Sequence, residues 1–393
     1  MFVFKLLFWF SLFIIAYSYI GYGILLYFLV RIKKLLKKVP KPSGSTYEPM
    51  VSLVVAAYNE EDFIHIKIKN TLELEYPREK LQVIFITDGS SDRTADIIKE
   101  YPSFELLHKP ERRGKVAAMN RAIDYVKAPI AVFCDANTLL NKECIRELVK
   151  HYIDPKVGAV AGEKKVLAGE DAQAAGAGEG IYWKYESFLK KLDSEFYSVV
   201  GAAGELFSVR TELFEKAKED TIIEDFVQSL KICLKGYVVR YEPKAYATET
   251  GSLSIRDERK RKVRISAGAF QAMGMLKELF NVFKYPVLSF QFISHRILRW
   301  TLCPLALVIL LLSNIGIVLL GGGWVYIILL VAQGFFYLLA VLGWMYTNRS
   351  IKVKALYIPY YFFFMNVSVD MGFARFIQKR QSVLWEKAAR KTA

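Results

Sequence analysis

The chain has 393 residues, 53% of them hydrophobic, and carries 54 Lys and Arg against 39 Asp and Glu, a formal net charge of +15. That length exceeds one small domain and suits two or three units. Many of the positive residues flank hydrophobic segments and no nucleic-acid module appears, so the charge fits a membrane surface and anionic head groups better than a nucleic acid. The four cysteines, Cys134, Cys144, Cys233 and Cys303, lack the paired spacing of a zinc site or a disulfide framework and are expected as reduced thiols.

Taken in chain order, the first segment is a membrane anchor over residues 1–33. Phe4 to Val30 holds a single charge, Lys5, and is long enough to span a hydrocarbon core. It runs directly into Arg31-Ile32-Lys33-Lys34-Leu35-Leu36-Lys37-Lys38, without the small-residue cleavage site of a signal peptide. Residues 34–47 form a basic linker, with Pro40-Lys41-Pro42-Ser43-Gly44-Ser45 flexible and partly extended.

Residues 48–280 alternate strand and helix signals, which predicts an α/β domain with a mainly parallel sheet. Expected strands are Met50 to Ala56, Leu81 to Ile86, Phe104 to Leu107, Ile130 to Cys134, Val157 to Val166 and Leu206 to Arg210. Helical spacing falls up to Leu74, from Ser90 to Tyr101, from Gly114 to Val126, from Ile181 to Leu192 and after Thr221, while Ala168 to Gly180 reads as a loop. Two apolar runs close on an acid, Val83 to Asp88 and Val132 to Asp135, the latter followed by Asn137. An unpaired charge inside a strand is costly, whereas a carboxylate just past a strand's C-terminal end lies where α/β sheets hold ligands.

Past the domain, Tyr285 to Trp300 mixes aromatic and apolar residues with His295, Arg296 and Arg299, and residues 281–300 are expected as an amphipathic helix in the membrane interface. Residues 301–378 hold three apolar stretches, Thr301 to Leu320, Trp324 to Tyr346 and Leu356 to Ile377, the last containing Asp370. A basic tail, 379–393, follows. Four single crossings would put this tail opposite the middle domain, against the positive-inside rule, so either the last stretch does not cross or an extra pass is hidden.

In this order and spacing the segments resemble the membrane-bound family-2 glycosyltransferases, a group that includes hyaluronan, chitin, cellulose and poly-N-acetylglucosamine synthases. The resemblance implies a multi-pass cell-membrane enzyme with a cytoplasmic A-type glycosyltransferase domain. It would move a sugar from a nucleotide donor, expected as a UDP-sugar, to a saccharide or lipid-linked acceptor with inversion, aided by Mg²⁺ or Mn²⁺. Ala57, Tyr58 and Glu60 match the first nucleotide loop. Thr87-Asp88 stands where the family has two acids, leaving Asp88 to contact base or ribose, and Lys115 matches a lysine that approaches the nucleotide. Asp135-Ala136-Asn137 occupies the Asp-x-Asp position that holds the metal, with Asn137 replacing the second acid. Ile223-Glu224-Asp225 matches Thr-Glu-Asp, making Asp225 the base that takes the acceptor proton and Glu224 its positioner. Gly201, Ala202, Ala203 and Gly204 resemble the acceptor loop, and Trp183 offers a ring nearby. Arg261 and Arg264 stand in the Gln-x-x-Arg-Trp position, Arg264 facing the diphosphate. The tryptophan is replaced by Ile265, which leans towards short products or a lipid-linked sugar. A polyprenyl- or dolichyl-phosphate sugar transferase is the nearest alternative, and an inactive sugar-binding scaffold a more distant one.

Overall fold

The structure is a computed structural model that describes residues 1–36, 47–167, 174–250, 255–348 and 353–382. The segment Pro40 to Ser45 and most of the basic tail lie outside the described residues.

The centre is an eight-stranded sheet in the order β3-β2-β1-β4-β7-β6-β8-β5. Its strands are β1 (Val51–Ala57), β2 (Leu81–Asp88), β3 (Glu105–Lys109), β4 (Ile130–Asp135), β5 (Leu139–Leu140), β6 (Val157–Leu167), β7 (Leu206–Arg210) and β8 (Val238–Thr250). β1 is buried along its whole length and pairs in parallel with β2 and β4, as expected for a short, mostly apolar run covered on both faces. The helices of this half are α2 (Glu61–Leu72), α3 (Thr94–Lys99), α4 (Lys115–Ala122) and α5 (Cys144–Val149). Ala56 is level with Asp135 and Ala57 with Thr87, so β1, β2 and β4 end at one edge of the sheet.

Across β4 the sheet turns antiparallel. Cys134 is level with Leu206, so β7 begins where β4 ends, and the loop before it lies beside Asp135. α6 (Ala174–Phe196) follows β6, α7 (Glu224–Leu234) follows β7, and α8 (Ile255–Met275) follows β8. The expected loop from Ala168 to Gly180 is therefore corrected: helix starts at Ala174, although the glycines at 176, 178 and 180 oppose it on propensity alone. The four cysteines are buried free thiols.

The N-terminal helix α1 (Phe2–Leu36) is continuous, with one π turn at Tyr17–Gly21. Its outer half lies against α10 (Leu302–Leu319), where Gly316 faces the Phe4 ring. Its inner half buries Tyr22, Leu26 and Val30 against Leu189 and Leu192 of α6. Residues 286–300 form helix α9, also interrupted by a π turn, at Ile293–Ile297. α9 is amphipathic, but its polar face is turned into the protein. His295 and Arg299 are buried, and Arg299 donates to Glu186 Oε1 at 2.6 Å and to the Ser18 carbonyl at 3.1 Å.

Among the described residues, three helices are long and apolar enough to cross a membrane: α1, α10 and Trp324–Thr347 of α11 (Trp324–Asn348). α12 (Lys354–Ile377) is not one of them. It starts beside α11, with Phe336 and Phe362 rings 5.8 Å apart, and ends on α8, where Phe373 lies 4.9 Å from Phe270 and Gly372 closes on Ser266. Three crossings would return α12 and the basic pair Lys379-Arg380 to the side of the sheet domain, the arrangement that the positive-inside rule favours and four crossings would not give. Because the native cysteines are buried, single cysteines report the topology: Lys379→Cys and Lys127→Cys should label from one face of sealed vesicles and Trp324→Cys from the other. Labelling of Lys379→Cys together with Trp324→Cys would show that α12 crosses.

Candidate active site

The strand ends, the β7 loop, α6, α7, α8 and parts of α1, α9 and α12 surround one cleft of about 1090 Å³. It gathers Tyr58, Glu60, Lys115, Asp135, Asn137, Trp183, Gly201, Ala202, Ala203, Gly204, Glu224, Asp225, Arg261 and Arg264 from segments up to two hundred residues apart. Of the residues singled out from sequence, Ala57 and Asp88 do not line it. Asp88 Oδ2 instead accepts the backbone amides of Arg113 at 2.8 Å and Gly114 at 2.5 Å. It thereby fixes the turn that launches α4, whose first residue is Lys115.

Lys115 is the electrostatic hub. Its ammonium lies 2.6 Å from Asp135 Oδ1 and 3.6 Å from Glu224 Oε1. Burial alone would lower its pKa, but Asp135, Glu224 and Asp225 together outweigh burial and hold it above the usual lysine range. For Asp135 burial wins over Lys115, so its carboxyl sits above the ordinary carboxylate range. Asp225 is raised further, to about 7, first by burial and then by the neighbouring charge of Glu224. Glu205, beside the loop, shows the opposite outcome: against burial, its ion pair with Lys164 holds it well below the usual range.

Asn137 is 8% exposed, and among the described residues its Oδ1 has no hydrogen-bond partner. Two hard oxygens two residues apart at a strand end, one of them unclaimed, suit a divalent cation that takes its remaining ligands from substrate phosphates and water. No group of three acidic, His or Cys ligands exists among the described residues. Arg264, on α8, carries a buried Nε with no partner among the described residues; burial lowers its pKa against the attraction of Glu224, Asp225 and Asp135. At the other side of the cleft, the Arg112 guanidinium stacks 3.9 Å from the Tyr58 ring.

The loop glycines are required for different reasons. Gly201 has φ +94°, and a Cβ there would fall 2.2 Å from the Phe226 ring. Gly204 has ordinary backbone, yet a Cβ would lie 3.0 Å from Lys115 Nζ and 3.3 Å from Asp225 Oδ2. Sequence reading missed Glu186, Lys190, Arg296 and Arg299, which also line the cleft. The sequence places Arg296 and Arg299 in an interfacial helix; the available signal against that was a pair of acids seven residues apart, Glu186 and Asp193, on the aromatic-rich helix α6.

A mixed sheet with a strand-end acid, an acidic helix start and a converging lysine and arginine defines a nucleotide-sugar transferase of the GT-A fold. Residues 52–217 match the family model Glycosyl transferase family 2, so this stretch is a family-2 glycosyltransferase domain, in a chain with three described helices long and apolar enough to cross a membrane. It is similar to the poly-β-1,6-N-acetyl-D-glucosamine synthase of Staphylococcus aureus (strain MSSA476), 29% identical over 293 residues that cover 72% of this chain and 68% of the relative. The Staphylococcus epidermidis enzyme of the same name is 27% identical over 301 residues, covering 74% and 70%. In fold, the chain is similar to a mannosyltransferase from Pyrobaculum calidifontis solved with GDP-Man and Mn²⁺, with a TM-score of 0.69, 23% identity and coverage of 94% of this chain and 99% of that one.

The two glycines separate stability from chemistry. Gly201→Ala should lower stability by more than about 1 kcal/mol, since a side chain at positive φ is strained even before the Phe226 clash. Gly204→Ala should leave the unfolding temperature nearly unchanged and depress turnover by displacing Lys115 and Asp225. Thermal unfolding beside nucleotide release checks both, and the reverse pattern would contradict the assigned geometry.

Proposed function

We propose that the cleft binds a UDP-sugar from the cytoplasmic side and transfers its sugar, with inversion, to a hydroxyl of a saccharide or lipid-linked acceptor. The observation that carries this reading is Asp225: a half-buried carboxyl raised to about 7 at a helix start, facing the glycine loop and within the field of Lys115. A sugar hydroxyl is a poor nucleophile, and a base with its pKa near working pH is the efficient one. In a single displacement the acceptor oxygen bonds to the anomeric carbon while the bond to the donor phosphate breaks. The electron pair leaves with the nucleoside diphosphate, and the acceptor proton passes to Asp225. An α-linked donor then gives a β-linked product, the linkage in the names of the staphylococcal relatives.

Asp135 and Asn137 would hold Mg²⁺ or Mn²⁺, which when bound neutralises charge on the leaving diphosphate. Lys115 and Arg264 supply cationic donors for the same oxygens, and the Arg112–Tyr58 stack offers a flat face for the base. Glu224 places Asp225 and raises it. Asp88 acts through the Gly114 turn, holding Lys115 in register, and the acceptor enters over Gly201 to Gly204 with Trp183 as a ring beside it. The outer approach is lined by α12 and the membrane helices, so membrane lipids border the acceptor's path.

The defining assay incubates the protein in nanodiscs with a panel of nucleotide sugars and Mn²⁺ and follows released nucleotide; no release from any UDP-sugar would overturn the proposed donor. Asp225→Asn should bind nucleotide as the parent does and lose ~10²–10⁴-fold in rate. Since only the ionised carboxylate accepts a proton, kcat/KM should fall about tenfold per pH unit below about 7 and level off above it. A flat profile from pH 5.5 to 8 would remove Asp225 from this role.

Excess EDTA should abolish turnover, and Asn137→Asp, which restores a second acid, should be tolerated and tighten Mn²⁺ binding. Undiminished turnover in EDTA, or no change in Mn²⁺ affinity in Asn137→Asp, would argue against a metal at this position.

A further inference from the structure

The inner end of the cleft is cationic, and the transfer step uses Trp183 there but none of the cations around it. On α6, Trp183, Glu186 and Lys190 follow at spacings of three and four, which places them on one face, and all three line the cleft. Lys190 is 4% exposed. Among the described residues no carboxylate comes within ion-pair distance of its ammonium and no acceptor takes its protons; its close contact is the Trp183 ring, 5.4 Å away. Lys164 and Lys262 approach the same ring at 5.3 and 5.7 Å.

The acids that act on Lys190 are committed elsewhere. Glu186 is held by Arg296 at 2.9 Å and Arg299 at 2.6 Å, Glu205 pairs with Lys164, and Glu163 accepts the Ser187 hydroxyl at 2.6 Å. Burial, and then the Arg296 charge, push the Lys190 ammonium down. A buried cation without a partner is costly to fold around, and an anion that reaches it offsets part of that cost. Beside it, Ile358, Phe362 and Met365 of α12 give the cleft an apolar wall.

We propose that Lys190, Arg296 and Trp183 form an anion subsite that binds a phosphate or carboxylate group carried by the acceptor. This deepens the proposed transfer and rests on it for the word acceptor. The phosphate could belong to a lipid carrier, led in along α12, and the carboxylate to a uronic acid.

The test is equilibrium binding by calorimetry to the full-length protein in nanodiscs with UDP and Mn²⁺ present. The probes are farnesyl phosphate against farnesol, and cellobiouronic acid against cellobiose. One anionic probe should bind at least tenfold more tightly than its neutral twin, and which one does so identifies the source. Lys190→Gln should erase that difference, Lys190→Arg should keep it, and UDP affinity should stay within twofold in both. Because an unpaired buried charge is removed, Lys190→Gln should unfold at the same or a higher temperature than the parent. Equal binding of anionic and neutral probes, a parallel loss of UDP affinity, or a lowered unfolding temperature in Lys190→Gln would each overturn the proposal. These measurements need no turnover, so a failure of the donor panel would sink the transfer reading and leave this comparison intact.

Discussion

The whole architecture hangs on a pair of carboxylates two turns apart on one face of α6. Glu186 takes both arginines of α9, and Asp193 accepts the Tyr22 hydroxyl of α1 at 2.5 Å and the Gln291 amide of α9 at 3.0 Å. His295 sits between them, 2.6 Å from Asp193 and 3.4 Å from Glu186. Burial would raise Glu186, but Arg296, His295 and Arg299 hold it well below the usual range. Buried ion pairs are weak evidence of net stability, since desolvation can cancel the attraction. What this cluster supplies is position: breaking one member would strand its partners, so α1, α6 and α9 have one mutual arrangement. The inner wall of the cleft is built from these three helices, and the catalytic domain is thereby fixed against its own membrane segments.

Within the cleft, the same chemistry is tuned in opposite directions. Glu205 and Asp225 are both half-buried carboxyls on the same cleft. Glu205 pairs with Lys164, which it shares with Glu249, is drawn further by Arg261 and stays ionised, whereas Asp225 shares Lys115 with Asp135 and Glu224 and is driven up to about 7. A fixed number of cations divided unequally among crowded acids is enough to make one of them a base poised near neutrality. Lys115 can be shared in this way only because Gly204 lets the loop approach without a side chain.

How much of this the sequence disclosed follows from the range of each interaction. The apolar runs ending in Asp88 and Asp135, the acidic start of α7 and the glycine loop are local patterns, and all were legible. So was the sheet on the β1 side, where short, mostly apolar runs rich in Val and Ile leave little choice. β8 was missed because Pro243 and its charged neighbours mask an alternation that the pairing with β6 enforces. The inward face of α9 was missed for a related reason: His295, Arg296 and Arg299 look like a solvated or head-group face until Glu186 and Asp193, more than a hundred residues earlier, are placed against them. Asp88 was legible as a strand-end acid, but its partner is a backbone turn, and amide groups leave no trace in residue identities.

The substitution of Ile265 for an aromatic residue shows how a local departure changes meaning in three dimensions. Ile265 lines the cleft from α8, and Trp183 lines it from α6, so the cleft does not lack a ring. The two rings would not be equivalent, however. A sugar stacks on an indole through its C–H faces, and that use competes with ammonium groups drawn to the same π surface. Trp183 has three lysines within 6 Å of its centre. A ring in that company is a poor platform for a neutral sugar and a good neighbour for a group that draws the lysines off its face. The charge around Trp183, more than the loss of an aromatic at 265, is therefore what distinguishes this cleft, and it argues for an acceptor whose binding is decided by charge as well as by stacking.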